Sequence, residues 1–319
     1  MMSPLAWLAT RVCLGPRSLH LATATSVAAS VAIIVAGAVV RVTGSGLGCP
    51  EWPYCTESTL APTAAMGIHG LIEFANRLLT GVLCVVVVWV ILSARLQKAP
   101  SKYVLQGAWS QFWIVVLNAI VGGITVWARL SPWVVAAHFL AALLLLTAAV
   151  VTWDRANRPQ QRLSGHHLPQ GTRPAATALL SITAALVIIG TLVTGTGPHA
   201  GDSSNVERMP FDWFAVAAVH ESLAVAALTV AIWFLFMERV AIHSQIRARG
   251  LVFVFILGAQ GAVGIFQLMT DLNEVFVIIH LLGAALVWIG ALRVWLESRE
   301  SAGSREDQQV VKKADSRIS

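Results

Sequence analysis

Polar and ionisable side chains interrupt several apolar runs of this sequence, and they are the residues that could do chemistry. Such side chains are costly to bury in a long apolar segment, so each is a candidate for function. They are His69, Glu73 and Asn76 in one run, His138 in a second, His220 in a third and His280 in a fourth. The spacing i, i+4, i+7 places the first three on one face of a helix.

His220 and His280 have the character of an axial ligand pair for haem iron. Neither a carboxylate nor a thiolate recurs with them, which favours a haem over a bare zinc or copper ion. Small residues leave room for a flat macrocycle: Ala217, Ala218, Ala224, Gly283, Ala284 and Ala285. The simpler interpretation of one intramembrane histidine is a hydrogen bond to a neighbouring helix. Histidines at matched depth in two segments favour the haem.

An internal repeat relates two of the histidine segments. Residues 118–138 can be laid over residues 260–280 without a gap. Each segment begins at a carboxamide, crosses a short polar break and reaches a histidine, His138 or His280, after the same interval. Such self-similarity is typical of a duplicated structural unit. We therefore expect the two histidines to occupy equivalent positions.

The repeat is broken at one position. Sliding IEFANRLLTG over AAVHESLAVA with Glu73 opposite Ala217 places Asn76 opposite His220, so that His138 faces a carboxamide where His280 faces an imidazole. Two strong ligands suit electron transfer, whereas one histidine beside a carboxyl group, Glu73, suits binding and transforming a substrate. His69 is either an alternative ligand or an interfacial polar residue.

Composition places these residues in a membrane. Hydrophobic residues make up 56% of the chain, charged residues 12%, and the mean hydropathy is +0.72. Such values exceed those of soluble domains, and the apolar runs approach membrane-spanning length. The predicted helices cover residues 20–41, 70–94, 104–127, 132–153, 175–196, 211–237, 251–269 and 275–295. We expect no cleaved signal peptide, because the basic N-terminus leads into a full-length span.

Basic residues predict the orientation. Most of the 22 lysines and arginines lie in the N-terminus, the tail and the loops after the second, fourth and sixth helices. The positive-inside rule then puts both termini in the cytoplasm of a multi-pass plasma-membrane protein. The exceptions are Arg41, Arg77, Arg129 and Arg208. The net charge of +6 is thus a topology signal, and we expect no nucleic-acid partner.

The predicted fold class is an all-α polytopic membrane protein of eight transmembrane helices, arranged as two tandem four-helix bundles. Its parts are a cytoplasmic N-terminus (1–19), a first half (20–153), a cytoplasmic linker (154–174), a second half (175–297) and a disordered cytoplasmic tail (298–319). Because four is even, both halves enter the membrane in the same orientation. A pseudo-twofold axis is therefore expected along the membrane normal.

The loop GLGCPEWPYC carries Cys49 and Cys55, and the predicted orientation places it outside the cell. Their short separation makes a local disulfide plausible, and such a bond can persist outside the cell. Arg41 and Arg77 lie near the same face. They could pair with haem propionates or extend towards the outer headgroups. Both interpretations stay open.

Several segments resemble haem A synthase, the membrane enzyme family that oxidises a methyl group of haem O to the formyl group of haem A. The similar segments are RVTGSGLGCPEWPYC, IEFANRLLTG, the segment before His138, TGTGPHAGD and the helices of His220 and His280, within residues 37–295. The resemblance implies a haem b on His220 and His280 and a substrate haem in the first half. It also implies a functional carboxylate at Glu73 and an outward cysteine pair.

The chain departs from the family pattern at Asn76, where the family carries histidine. An iron without a strong second ligand is the form expected to meet oxygen, so catalysis is compatible with this change. The sequence leaves open whether His69 or Asn76 ligates the substrate haem.

The favoured function is haem A synthesis. Haem O would bind through His138, electrons would arrive through the haem b, and molecular oxygen or water would supply the oxygen atom. Glu73 is the predicted catalytic residue, as a proton relay or a charge stabiliser. The alternative is a non-catalytic cytochrome b-type electron carrier or haem-handling protein, and a secondary transporter fits less well.

The expected partners follow from that function. They are haem O, an unidentified electron donor, a haem O synthase, oxidase assembly factors and the lipid bilayer. The sequence leaves a homo-oligomer open.

Overall fold

The computed structural model describes residues 11–157, 171–199, 201–202, 206–237 and 245–315. Within them a short 3₁₀ turn, Ala64–Met66, precedes the second of eight long helices. These are α1 Pro16–Val42, α2 Gly67–Arg95, α3 Lys102–Trp127, α4 Pro132–Ala156, α5 Thr172–Thr196, α6 Trp213–Met237, α7 Gln245–Met269 and α8 Glu274–Asp315. Eight helices in the described ranges are long and apolar enough to cross a membrane, as predicted.

Some helices begin earlier than their apolar runs. Helix α1 starts at Pro16 and α7 at Gln245, ahead of the predicted residues 20 and 251. Proline suits the first turn of a helix because its missing N–H is not needed there. Pro132 begins α4 in the same way. A hydropathy window misses these turns because they include polar residues at the membrane surface.

The last helix is longer than the predicted span 275–295. Helix α8 continues without a break past the last membrane span to Asp315. This segment has no proline and is rich in arginine, glutamate, glutamine and lysine, which are good helix formers. Residues 316–319 of the predicted tail and 158–170 of the predicted linker lie outside the described residues.

Each half is a ring of four helices. In the first half α1 and α3 each pack against α2 and α4; in the second, α5 and α7 each pack against α6 and α8. Helices α2 and α4 thus lie on one diagonal of the first ring, and α6 and α8 lie on the matching diagonal of the second. The candidate ligands are carried by these diagonal helices.

The α3–α4 and α7–α8 turns share one backbone conformation at matched positions. Arg129 and Leu130 have φ of 49° and 61°, and Asp271 and Leu272 have φ of 50° and 60°. Leu130 and Leu272 each donate the backbone N–H to a carbonyl of the preceding helix, at 2.9 and 2.8 Å. Paired left-handed residues other than glycine are uncommon, so their recurrence supports the predicted register of the repeat. The pseudo-twofold axis stays a prediction.

The halves join through α1, α4, α5 and α8. Their shared apolar core contains Ile34, Leu143, Leu146, Val150, Val187, Ala285, Leu292 and Leu296. Beyond α1, the N–H of Gly46 donates to the carbonyl of Gly201 at 2.7 Å. At the opposite end, Arg249 of α7 lies 3.0 Å from Glu297 of α8 and 3.8 Å from Asp154 of α4. Polar contacts thus join the halves at both ends of the apolar interface.

Candidate functional site

A cavity of about 1040 Å³ extends through the centres of both rings. Asn76 and His138 line its end in the first half, and His220 and His280 line its end in the second. Its volume is at the upper end of the usual range for small-molecule pockets. The two predicted sites therefore share one continuous space with room for large, flat ligands.

The two ends of the cavity are built from the same helix positions. On α4 the lining residues Val135, His138 and Ala142 match Val277, His280 and Ala284 of α8. On α2 the lining residues Glu73, Asn76 and Thr80 match Ala217, His220 and Ala224 of α6. Asn76 thus occupies the position that His220 has in the second half, in the register predicted from the sequence.

His220 and His280 face each other across the second end of the cavity. Their ring centroids are 6.4 Å apart and the ring planes are inclined by 56°. The Nδ1–H of His220 donates to the carbonyl of Leu186 at 3.1 Å, which leaves Nε2 free to bind a metal. This spacing fits an iron held by one imidazole on each face of a haem.

Glycines on neighbouring helices give the imidazoles their room. A Cβ at Gly190 would lie 3.1 Å from Cε1 of His220, and a Cβ at Gly264 would lie 3.6 Å from Cε1 of His280. In the first half a Cβ at Gly122 would lie 3.2 Å from Cε1 of His138. Each ring therefore lies close to a helix backbone.

His138 and Asn76 have polar atoms that the described residues leave unsatisfied. His138 Nδ1 and Asn76 Oδ1 are buried without a hydrogen-bond partner in the described part of the chain. Both side chains line the first end of the cavity. A group bound there would be met by one imidazole and one carboxamide. Within the described ranges no cluster of three or more His, Cys, Asp or Glu is placed to hold a bare metal ion.

Glu73 and Arg77 hold the loop that follows α1. Glu73 is 5% exposed, accepts the N–H of Cys49 on Oε2 at 2.6 Å, and pairs through Oε1 with Arg77. Arg77 also donates to the carbonyls of Cys49, Glu51 and Tyr54 at 2.8 to 3.0 Å. Both residues line the cavity as well. The carboxylate thus connects the loop to the first end of the cavity.

The predicted disulfide between Cys49 and Cys55 is present, with both residues fully buried. The disulfide closes the loop whose backbone is hydrogen-bonded by Arg77 and Glu73. Cys13 and Cys84 are free thiols.

Trp52, at the middle of the disulfide loop, covers part of the cavity. Trp52 and Pro53 are both lining residues. The indole meets Trp127 edge to face with centroids 5.5 Å apart, and a Cβ at Gly123 would lie 2.7 Å from Trp52 Cδ2. The indole can pack against α3 because Gly123 has no side chain. The loop therefore forms a fitted cover over the first end.

Arg41 connects the two halves. Its Nε donates to the carbonyl of His199 at 2.9 Å and its Nη2 to the carbonyl of Thr194 at 2.7 Å. The Nε2 of His199 in turn donates to the carbonyl of Leu272 at 2.9 Å. The guanidinium also lines the cavity, and its pairing with a haem propionate stays a prediction.

His69 lies apart from the other candidates. Its side chain is exposed, Nδ1 lies 3.0 Å from the hydroxyl of Ser45, and the residue does not line the cavity. The structure brings together Glu73, Asn76, His138, His220 and His280 around one space, and leaves His69 outside it.

Comparison with known proteins places this arrangement in a family. The model of the COX15-CtaA family, described as cytochrome oxidase assembly protein, matches residues 21–292. The matched region includes every residue that lines the cavity. The chain belongs to this family.

Curated relatives align with this chain over most of its length and most of their own. A heme A synthase of Shewanella oneidensis is 23% identical, with 86% of this chain and 95% of the relative covered. Heme A synthases of Listeria welshimeri and Staphylococcus epidermidis are each 24% identical, covering 78% and 77% of this chain and 85% and 84% of their own. The resemblance inferred from the sequence is therefore confirmed.

The sequence did not reveal three features of this family member's site. They are the cover made by Trp52, the bond from His199 to the α7–α8 turn, and the glycines behind the imidazoles. The glycines leave a signal in hindsight, since Gly122 and Gly264 precede His138 and His280 by the same interval. The contacts of Trp52 and His199 span long sequence separations and leave no such pattern.

Proposed function

We propose that the protein is a haem A synthase, an oxidoreductase that converts a ring methyl group of haem O into the formyl group of haem A. Membership of the COX15-CtaA family and similarity to heme A synthases support this. The observation that carries the proposal is the shared cavity, in which histidines of matched helices stand at both ends. One continuous space thus offers a site for a resident haem and another for its substrate.

His220 and His280 are the residues to hold a haem b. When bound, it would pass single electrons to the substrate site. The Leu186 carbonyl holds the ring of His220, and Gln260 donates to the backbone carbonyl of His280 at 2.7 Å, which ties α7 to the helix turn that carries the second imidazole. Held by both imidazoles, such a haem would serve electron transfer rather than oxygen binding.

His138 is the residue to hold haem O at the first end. Successive hydroxylations of its methyl group, with molecular oxygen or water as the oxygen source, and loss of water would leave the aldehyde. Trp52 and Pro53 would limit entry of bulk water above the substrate. The protein's part is to orient the substrate and to exclude side reactions.

Glu73 has two tasks in this proposal. Its buried carboxylate closes the loop over the substrate through Cys49, and it lies at the cavity wall where a proton can be accepted or a charge stabilised. Arg77 keeps the carboxylate in position. Arg41 and Arg77 also line the cavity, and we propose them as partners of the haem propionates.

The orientation is part of the proposal. Both termini face the cytoplasm and the disulfide loop faces outward in a plasma membrane. The cavity would then open near the outer surface, beside the loop. A haem O synthase and oxidase assembly factors are the expected neighbours.

The test is haem analysis of cells that make haem O and express this protein. We expect haem A in extracts with the wild type and none with His138→Ala. His220→Ala should lose the haem b spectrum together with haem A. Each variant is compared with His69→Ala, which lies outside the cavity and should behave as wild type.

Two outcomes would overturn the proposal. Haem b without haem A in the wild type would support an electron carrier instead. Haem A at wild-type level with His138→Ala would remove the proposed substrate ligand.

A further inference from the structure

The two ends of the cavity differ at one pair of matched positions. His220 extends from α6 towards His280, whereas Asn76 extends from the same position of α2 towards the diagonal helix that carries His138. An asparagine side chain is shorter than a histidine and offers a carboxamide in place of a ring nitrogen. The first end therefore lacks the second imidazole.

In the first half, the space that a second imidazole would occupy is open. Gly190, which lies against His220, is matched on α1 by Gly37, which lines the cavity at the same helix position. A Cβ at Gly190 would be 3.1 Å from the imidazole, but a Cβ at Gly37 would meet nothing within 4 Å. The neighbouring helices have not closed over the shorter side chain.

The carboxamide of Asn76 remains available beside this space. Its Oδ1 is buried and lacks a hydrogen-bond partner among the described residues. Two other carboxamides of the cavity wall are occupied, since Asn118 donates to the Ile114 carbonyl and Gln260 to the His280 carbonyl. No bond to Oδ1 holds the carboxamide in one orientation, so the side chain can turn its NH2 group towards this space and donate to a ligand there.

His69 does not replace the missing ligand. Its exposed ring lies beside the hydroxyl of Ser45, outside the cavity wall. A second axial ligand for an iron at His138 would have to come from a side chain that lines the cavity, and Asn76 occupies the matched position.

We propose that the haem at His138 has one protein ligand, and that its opposite face opens into the space between Gly37 and Asn76, where the Nδ2–H of Asn76 donates to a small diatomic ligand. This rests on the proposed function, because it requires a haem in the first half. The closed second end and the open first end then differ through one residue. Dioxygen is the ligand class that the proposed oxidation would bring to this face.

Carbon monoxide tests the proposal, because it binds reduced haem iron only where an axial position is free. The protein is purified with its haems and reduced, and its absorption and resonance Raman spectra are recorded with and without carbon monoxide. In the wild type we expect the haem of the first half to bind carbon monoxide, while the bis-histidine haem b keeps its spectrum.

Two substitutions separate the open position from the hydrogen bond. Asn76→His should fill the space, convert this haem to a six-coordinate low-spin form and abolish carbon monoxide binding. Asn76→Ala should keep the binding, shift the C–O stretch and raise the dissociation rate roughly fivefold, the effect of losing about one hydrogen bond. His69→Ala should match the wild type in every measurement.

The unchanged haem b spectrum reports correct folding in each variant. A six-coordinate low-spin first haem in the wild type, with no carbon monoxide binding, would overturn the inference but leave the proposed function standing. If Asn76→Ala leaves the stretch and the rate unchanged, the hydrogen bond is refuted. Protein that contains haem b alone, although the cells make haem O, would contradict both proposals.

Discussion

At the scale of single residues, the carboxylate of Glu73 has one oxygen on Cys49 and the other on Arg77. Glutamine has nearly the same shape and keeps one oxygen as an acceptor, so it can still receive the N–H of Cys49. It cannot take up a proton or carry a charge. Glu73→Gln therefore separates the two tasks of Glu73.

We expect Glu73→Gln to lower haem A formation by about a hundredfold, in line with the loss of a general acid or base. The haem b spectrum should stay unchanged. The measurement is the ratio of haem A to haem O in extracts, with Glu221→Gln as a control because Glu221 is matched to Arg77 at the other end of the cavity. Wild-type haem A levels with Glu73→Gln would rule out the catalytic role.

At the scale of helices, close packing of glycine against imidazole sets the position of the ligands. Replacing a helical glycine by alanine usually stabilises a helix by about 1 kcal/mol. At Gly190 the new methyl group would lie 3.1 Å from His220, tighter than ordinary contact. The substitution therefore favours the helix but crowds the His220 ring.

We expect Gly190→Ala to alter the haem b absorption and electron paramagnetic resonance spectra, because the His220 ring must tilt or move. Gly37→Ala, at the matched position of the first half, should leave the same spectra unchanged, since its methyl group meets nothing within 4 Å. Identical haem b spectra in the two variants would show that the imidazole is not fixed by this contact.

The helices and their register could be predicted from the sequence because their signals are local. Runs of apolar residues define the spans, and the repeat of residues 118–138 in 260–280 matches the two left-handed turns. Helix α8 is the exception. A search for apolar residues stops at the membrane surface, whereas a helix continues until a residue breaks it.

The cover over the first end could not be predicted, because it depends on contacts between distant parts of the chain. Trp52 needs the bare backbone of Gly123 and the ring of Trp127, and its loop needs the carboxylate of Glu73. Spacing in the sequence identified the cysteine pair and the carboxylate, but not the bond between the Cys49 N–H and that carboxylate.

At the scale of the whole molecule, Arg41 stabilises the contact between the halves. Its guanidinium donates to two carbonyls at the end of α5 and in the loop beyond it. Hydrogen bonds from a charged donor contribute more than neutral ones, about 1.5 to 3 kcal/mol each. Losing both would leave two carbonyls without their donor next to the cavity.

We expect Arg41→Ala to lower the stability of the detergent-purified protein by about 2 kcal/mol or more, seen as a fall of several degrees in the unfolding temperature. Arg129→Ala is the matched control, because Arg129 lies on an exposed turn after α3. An equal fall in both variants would mean that loss of charge at the outer surface, rather than the contact between halves, is responsible.

The continuous cavity also determines how the two irons would respond to an electrode. If both proposed haems are bound, the charge on one iron would act on the other through an apolar space, where screening is weak. Reduction of one haem would then disfavour reduction of its neighbour. In a potentiometric titration followed at the haem b band, we expect the wild-type curve to be broader than a one-electron transition. The His138→Ala curve should narrow to a single one-electron step, and equal widths would indicate that the haems titrate independently.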